Sequence, residues 1–208
     1  IEGAFEGFAG LTKVIIDKEN PKYELVDGCI VEKATKKLIL SNPDGVIPKD
    51  IEIIGKGAFA GNYHLTTITL PDTIKSIEDR AFADCDNLQK IVLSSSVTSI
   101  GDEAFAGRTK LYDIYCYAMA PPTAYKSSFV NYNAFVYVPC DALRYYQADM
   151  VWGEFKHLQC IDSEDVTTVG ITVTPSTNDV TITWPTEDGA DTYSIVITKD
   201  GEVFCTLT

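Results

Sequence analysis

Two histidines, six cysteines and scattered acidic pairs are the side chains through which this chain could do chemistry. His157 has Cys140 and Cys160 in its sequence neighbourhood, a combination that would suit a thiolate nucleophile with an imidazole base. Neither a Gly-rich oxyanion turn nor a third group to orient the base accompanies it. The other histidine, His64, falls where neighbouring copies of an internal repeat place Asn87 and Lys110, which reads as a variable surface position. Cys29, Cys85, Cys116, Cys140, Cys160 and Cys205 show no C-x-x-C and no zinc-type spacing. Cys85 and Cys116 fall in or beside apolar columns, where cysteine acts as a small hydrophobe, so free buried thiols are the first expectation. The alternative is a disulfide, with Cys140 and Cys160 the favoured pair because both lie in one closing segment. Asp162, Glu164 and Asp165 could attract calcium but lack the D-x-D-x-D-G spacing of a binding loop. Phosphate-cradling and dinucleotide-binding glycine motifs do not occur. No catalytic residue, metal ligand or cofactor is therefore expected, and a hydrolase is the remote alternative.

The elements that would position any such residue are set by an internal repeat. G-A-F-A-G-N-Y-H-L-T-T-I-T-L, R-A-F-A-D-C-D-N-L-Q-K-I-V-L and E-A-F-A-G-R-T-K-L-Y-D-I-Y-C fall in register at a step of 23 residues. The columns hold Ala58, Ala81 and Ala104; Phe59, Phe82 and Phe105; Leu65, Leu88 and Leu111; Ile68, Ile91 and Ile114; and Ile54, Ile77 and Ile100. A further column is Leu70, Leu93 and Cys116, and an N-terminal copy supplies Ala4, Phe5, Leu11, Val14 and Ile16. Apolar residues returning in phase at such a step predict a solenoid, whose turns bury their apolar faces only against one another. L-x-x-I-x-L predicts a short strand per coil, with alternate residues facing out, and Ile74–Ile77 with its equivalents predicts a second one. The A-F-A segments predict a single helical turn that drops Ala and Phe inward.

Outside the regular copies, residues 17–47 read as a longer coil with a protruding hairpin. Its runs Cys29–Val31 and Leu38–Leu40 flank a charged tip at Glu32–Lys37, with turn chemistry at Asp27-Gly28 and Asn42-Pro43-Asp44-Gly45. Residues 117–161 read as a cap on the repeats of 1–116. Pro121-Pro122 stop the repeat, Phe135–Val138 form a strand, and Asp141 N-caps a helix carrying Leu143, Tyr146 and Met150. Trp152 and Phe155 plug the last coil, the sharper reading of Trp152 being a sugar-stacking platform. Residues 162–170 read as a linker. Residues 171–208 switch to period two and predict four strands of a partial antiparallel β-sandwich.

At 208 residues, 45% of them hydrophobic, the chain has material for a real core. A net charge of −13 disfavours nucleic acid and anionic membranes, which are met through Lys and Arg. No apolar run is long enough to span a bilayer. The chain opens inside a repeat, at I-E-G-A-F, which reads as a piece of something longer.

The repeat consensus A-F-A-x-C/G-x-x-L-x-x-I-x-L-P-x-x-I-x-x-I resembles that of the BspA-like leucine-rich repeat surface proteins of Bacteroides and relatives and of treponemes. The likeness covers residues 1–161. V-T-I-T-W-P and T-Y-S-I-V-I-T are similar, more distantly, to strands of a fibronectin type III or immunoglobulin-like domain. The resemblance implies export, display at the cell surface as an outer-membrane-associated protein or lipoprotein, and adhesion to a host protein, a glycan or another bacterium. A structural spacer that presents another domain is the alternative, and a monomer is expected in either case. No ligand motif comes with the family. The candidate binding residues are the outward positions of the strand ladder: Lys13, Ile15, Thr67, Thr69, Lys90, Val92, Asp113 and Tyr115. A solvated β face is the plainer reading of the same strip.

Overall fold

The computed structural model describes residues 14–107 and 110–161, and the backbone of four strands further on. The chain divides into two units, Ile1–Asp162 and Ser163–Thr208. In the first, the strands are β1 (Tyr23–Val26), β2 (Cys29–Glu32), β3 (Lys37–Leu40), β4 (Ile53–Ile54), β5 (Thr67–Thr69), β6 (Ser76–Ile77), β7 (Lys90–Leu93), β8 (Ser99–Ile100), β9 (Asp113–Cys116) and β10 (Phe135–Val138). A short helix α1 (Leu143–Ala148) and β11 (His157–Cys160) complete it. The second unit contains β12 (Thr172–Pro175) paired antiparallel with β13 (Val180–Thr183), and β14 (Ile195–Lys199) paired antiparallel with β15 (Glu202–Leu207).

Residues one repeat apart lie side by side. Thr67, Lys90 and Asp113 are in register across β5, β7 and β9, and Ser76 pairs with Ser99 across β6 and β8. The first ladder has the order β11-β10-β9-β7-β5 and is parallel throughout. The second runs β1-β2-β3-β4-β6-β8, parallel from β3 onward and antiparallel before it. Alternation along each strand sends Ile68, Ile91 and Ile114 inward, where they are 5%, 0% and 1% exposed, and leaves their neighbours facing out.

The A-F-A segments depart from the expected helical turn. Ala58, Ala60 and Asn62 donate their N–H groups three residues back, to the carbonyls of Gly55, Gly57 and Phe59. The alternate residues Gly57, Phe59 and Gly61 donate instead to Asp79, Ala81 and Ala83 of the next repeat. A helix is excluded because two columns are left-handed: Gly57, Arg80 and Glu103 at φ of 65°, 54° and 52°, and Gly61, Asp84 and Gly107 at 74°, 56° and 97°. Every second N–H thereby ties one repeat to the next, which satisfies backbone that this close packing removes from water.

Inside, the phenylalanine column forms a stack, with ring centroids 4.7 Å apart from Phe59 to Phe82 and 5.3 Å from Phe82 to Phe105. Phe129 continues it at 5.3 Å, and Trp152 and Phe155 close it edge-on, each 5.2 Å from Phe129. Trp152 is fully buried and its indole N–H donates to the Pro122 carbonyl at 2.8 Å. It is a plug, and the sugar-platform reading falls with its burial.

Three further expectations are corrected. The hairpin does not protrude: Cys29, Ile30, Val31, Leu38, Ile39 and Leu40 are buried, and with β1 the two strands extend the second ladder. Its β1–β2 turn carries Asp27 and Gly28 at φ of 50° and 77°, the paired positive values of a two-residue hairpin loop. Asp141 does not cap α1, whose N-cap is Ala142 without a side-chain hydrogen bond. Asp141 lies in the preceding 3-10 turn, and Met150, 83% exposed, lies beyond the helix end. Finally, residues 117–161 do more than cover an end, because they contribute β10 and β11, two more rungs of the first ladder.

Candidate binding face

The outward side chains of the first ladder stand in two columns. One runs Thr67, Lys90, Asp113, Phe135 and His157, and the other Thr69, Val92, Tyr115, Tyr137 and Gln159. Six of the expected binding residues therefore come together on one face. Lys13 lies outside the described residues, and Ile15, 77% exposed, belongs to none of the described strands. Four residues of the face went unread in the sequence: Phe135, Tyr137, His157 and Gln159. Their rungs lack L-x-x-I-x-L. The legible signals were the alternation in F-V-Y-V and a spacing of 22 residues from Asp113 to Phe135 and again to His157.

The character of the face changes along it. At β5 it is threonine; from β9 onward it is aromatic. Tyr115 and Tyr137 stack at 4.4 Å with planes 12° apart, and Phe135 and His157 stack at 4.6 Å with planes 21° apart. Phe135 and Tyr137 share a strand with centroids 6.5 Å apart, so the four rings make one staggered patch. From the β7 side the Lys90 ammonium sits 4.2 Å from the Tyr115 ring centre, a cation–π contact. Phe135 remains 41% exposed, and Tyr112 and Tyr117, just before and just after β9, are 54% and 43% exposed. In-register strands hold these side chains at about the 4.8 Å strand spacing.

The second ladder has a different surface, built of ion pairs. Glu52 binds Lys36 at 2.9 Å and Lys75 at 2.5 Å, and Lys37 binds Glu78 at 2.6 Å. Hydrogen bonds from Lys75 first and Lys36 second pull the Glu52 carboxyl down to about 2.

Among the described residues, those that could have done nucleophilic chemistry are not arranged for it. Cys140 and Cys160 form a disulfide, so the expectation of free thiols fails for this pair and no thiolate is there for His157 to activate. His157 is exposed and packs on Phe135. Cys29, Cys85 and Cys116 are free and buried. Burial pushes the Cys85 thiol up to about 12 and raises Cys116, whose sulfur lies 3.2 Å from the Tyr146 hydroxyl. A thiol so placed is a poor nucleophile. Among the described residues no cluster of His, Cys, Asp and Glu could hold a metal ion, and no helix is long and apolar enough to cross a membrane.

Comparison with known proteins bears on the same region. Residues 39–139 match the model of the BspA type leucine rich repeat region, in six copies. Among solved structures, a leucine rich cell surface protein from Faecalibacterium prausnitzii is 24% identical with a TM-score of 0.49, over 59% of this chain and 35% of its own. The pneumococcal vaccine antigen PcpA is 16% identical with a TM-score of 0.41, over 62% of this chain and 45% of its own. The chain thus spans well under two thirds of the length of either. No curated protein matches it. The family match falls on the stretch that holds β4 to β10 and the stacked Phe59, Phe82, Phe105 and Phe129, and over those residues the chain is similar to the BspA type leucine rich repeat region.

Proposed function

We propose that this chain is a non-enzymatic adhesion module displayed at a bacterial cell surface, and that it takes a macromolecular partner on the outward face of the first ladder. In this reading the repeats wind as a solenoid, 117–161 completes it, and 162–170 links it to part of an immunoglobulin-like β domain. The observation that carries the reading is the ring patch of Tyr115, Phe135, Tyr137 and His157, partly exposed on strands locked in register. Partly exposed aromatic side chains on a rigid frame are what binding surfaces concentrate, because they bring large contact area at small entropic cost. The Cys140–Cys160 disulfide fits an oxidising, extracytoplasmic setting.

The test is an array of immobilised matrix proteins, glycans and whole bacterial cells, probed with the full chain. Saturable binding to at least one is expected, weakened about tenfold by Tyr115→Ala, the loss typical of a contact worth ~1.4 kcal/mol, and to a smaller extent by Val92→Ser. A blank array would overturn the proposal.

A further inference from the structure

We propose that the Cys140–Cys160 disulfide is a redox-cleavable latch on the last rung of the first ladder. The unit then has an oxidised form in which β11 is held and a reduced form in which that strand alone comes loose. Three observations converge on it. β11 is an edge strand whose sheet neighbour is β10. Its own burial is thin: His157 and Gln159 are exposed, and Leu158 and Cys160 half-buried, whereas Ile91 and Leu93 of β7 are fully buried. The disulfide joins the last residue of β11 to Cys140, an exposed residue just after β10, across a sequence separation of 20.

The segment inside that loop is fastened by other means. The Tyr146 hydroxyl donates to the Ala118 carbonyl at 2.8 Å, and the Trp152 indole donates to the Pro122 carbonyl at the same distance. Trp152 and Phe155 both pack on Phe129. Opening the disulfide therefore leaves the plug on the phenylalanine stack and frees only the strand beyond it. The step is a two-electron reduction by a thiol reductant. A thiolate attacks one sulfur, the S–S bond breaks through a mixed disulfide, and a second thiol releases two cysteine thiols while the reductant leaves as its own disulfide. The consequence for binding rests on the reading above: with β11 loose, His157 and Gln159 leave the face and Phe135 loses its stacking partner.

Hydrogen exchange on the full chain, with and without dithiothreitol, tests the latch. On reduction, the amides of 157–161 exchange at least about tenfold faster, because the end of the strand is no longer tied down and opens locally. Those of β5, β7 and β9 keep their protection. The Cys140→Ser/Cys160→Ser double variant reproduces this without reductant, and should it not fold, reduction of the native protein decides alone. Unchanged protection of 157–161 overturns the proposal, as does a loss that spreads to β5, β7 and β9. Either result leaves the array test of adhesion untouched, and a blank array leaves the latch untouched.

Discussion

Tyr115 shows how little of a binding face lies in any one side chain. Lys90 approaches its ring from the β7 strand and Tyr137 covers it from β10, so the edge is what Tyr115 turns outward. The sequence marks Tyr115 as an outward position, because Ile114 and Cys116 on either side belong to apolar columns. It does not mark Tyr137, whose place depends on a rung that lacks the repeat's Leu and Ile. Charges behave the same way: Glu52 is an unremarkable acid in the sequence, and its environment comes from Lys75, one repeat later, and Lys36 across the hairpin tip. With a folded-state value of about 2 against an ordinary 4.5, its contribution to stability is fully present above pH ~4.5 and is lost as the pH falls through ~2. An NMR titration should therefore find the Glu52 carboxylate still ionised at pH 3.5, and Glu52→Gln should lessen the acid sensitivity of unfolding. Titration of Glu52 in the normal carboxylate range would disprove the ion-pair geometry.

At the scale of the element, the phenylalanine column was the most legible feature and the turn that carries it the least. A fixed step with Phe in phase requires the rings to meet, and they do so within a continuous stack. The turn itself was misread as helical because Ala and Phe suit a helix locally. What decides the conformation is the next repeat, whose carbonyls accept alternate N–H groups and so demand left-handed residues at Arg80, Asp84 and Glu103. Gly107 shows the tolerance this leaves. It sits at φ of 97°, and a Cβ there would run into the backbone of Asp84 in the preceding repeat. Phe82 packs on a ring at both sides and is fully buried. Phe82→Ala should accordingly cost about 3–5 kcal/mol in chemical denaturation, the range for emptying a large aromatic site. A loss below ~1 kcal/mol would mean that the stack is not the core of the unit.

Across the repeat unit as a whole, the two ladders divide the labour. The second is laced by ion pairs and closed by the β1–β3 meander, while the first gathers its aromatic residues on the last three rungs. The regular repeats made the first three rungs readable. The last two were harder to place because 117–161 replaces the motif: Val136 and Val138 stand where Ile and Leu stood, Phe129 joins the Phe column at a step of 24 from Phe105, and Trp152, 23 further on, meets it edge-on. In the function proposed above, adhesion resides on that aromatic end of the first ladder. Titration calorimetry with the ligand found on the array should compare Tyr115→Ala/Tyr137→Ala with Lys36→Ala/Lys75→Ala on the ion-paired surface beside the other ladder. At least a tenfold loss of affinity is expected for the first pair and no change for the second. Equal affinities for both pairs and the native chain, or a loss confined to the second, would contradict it.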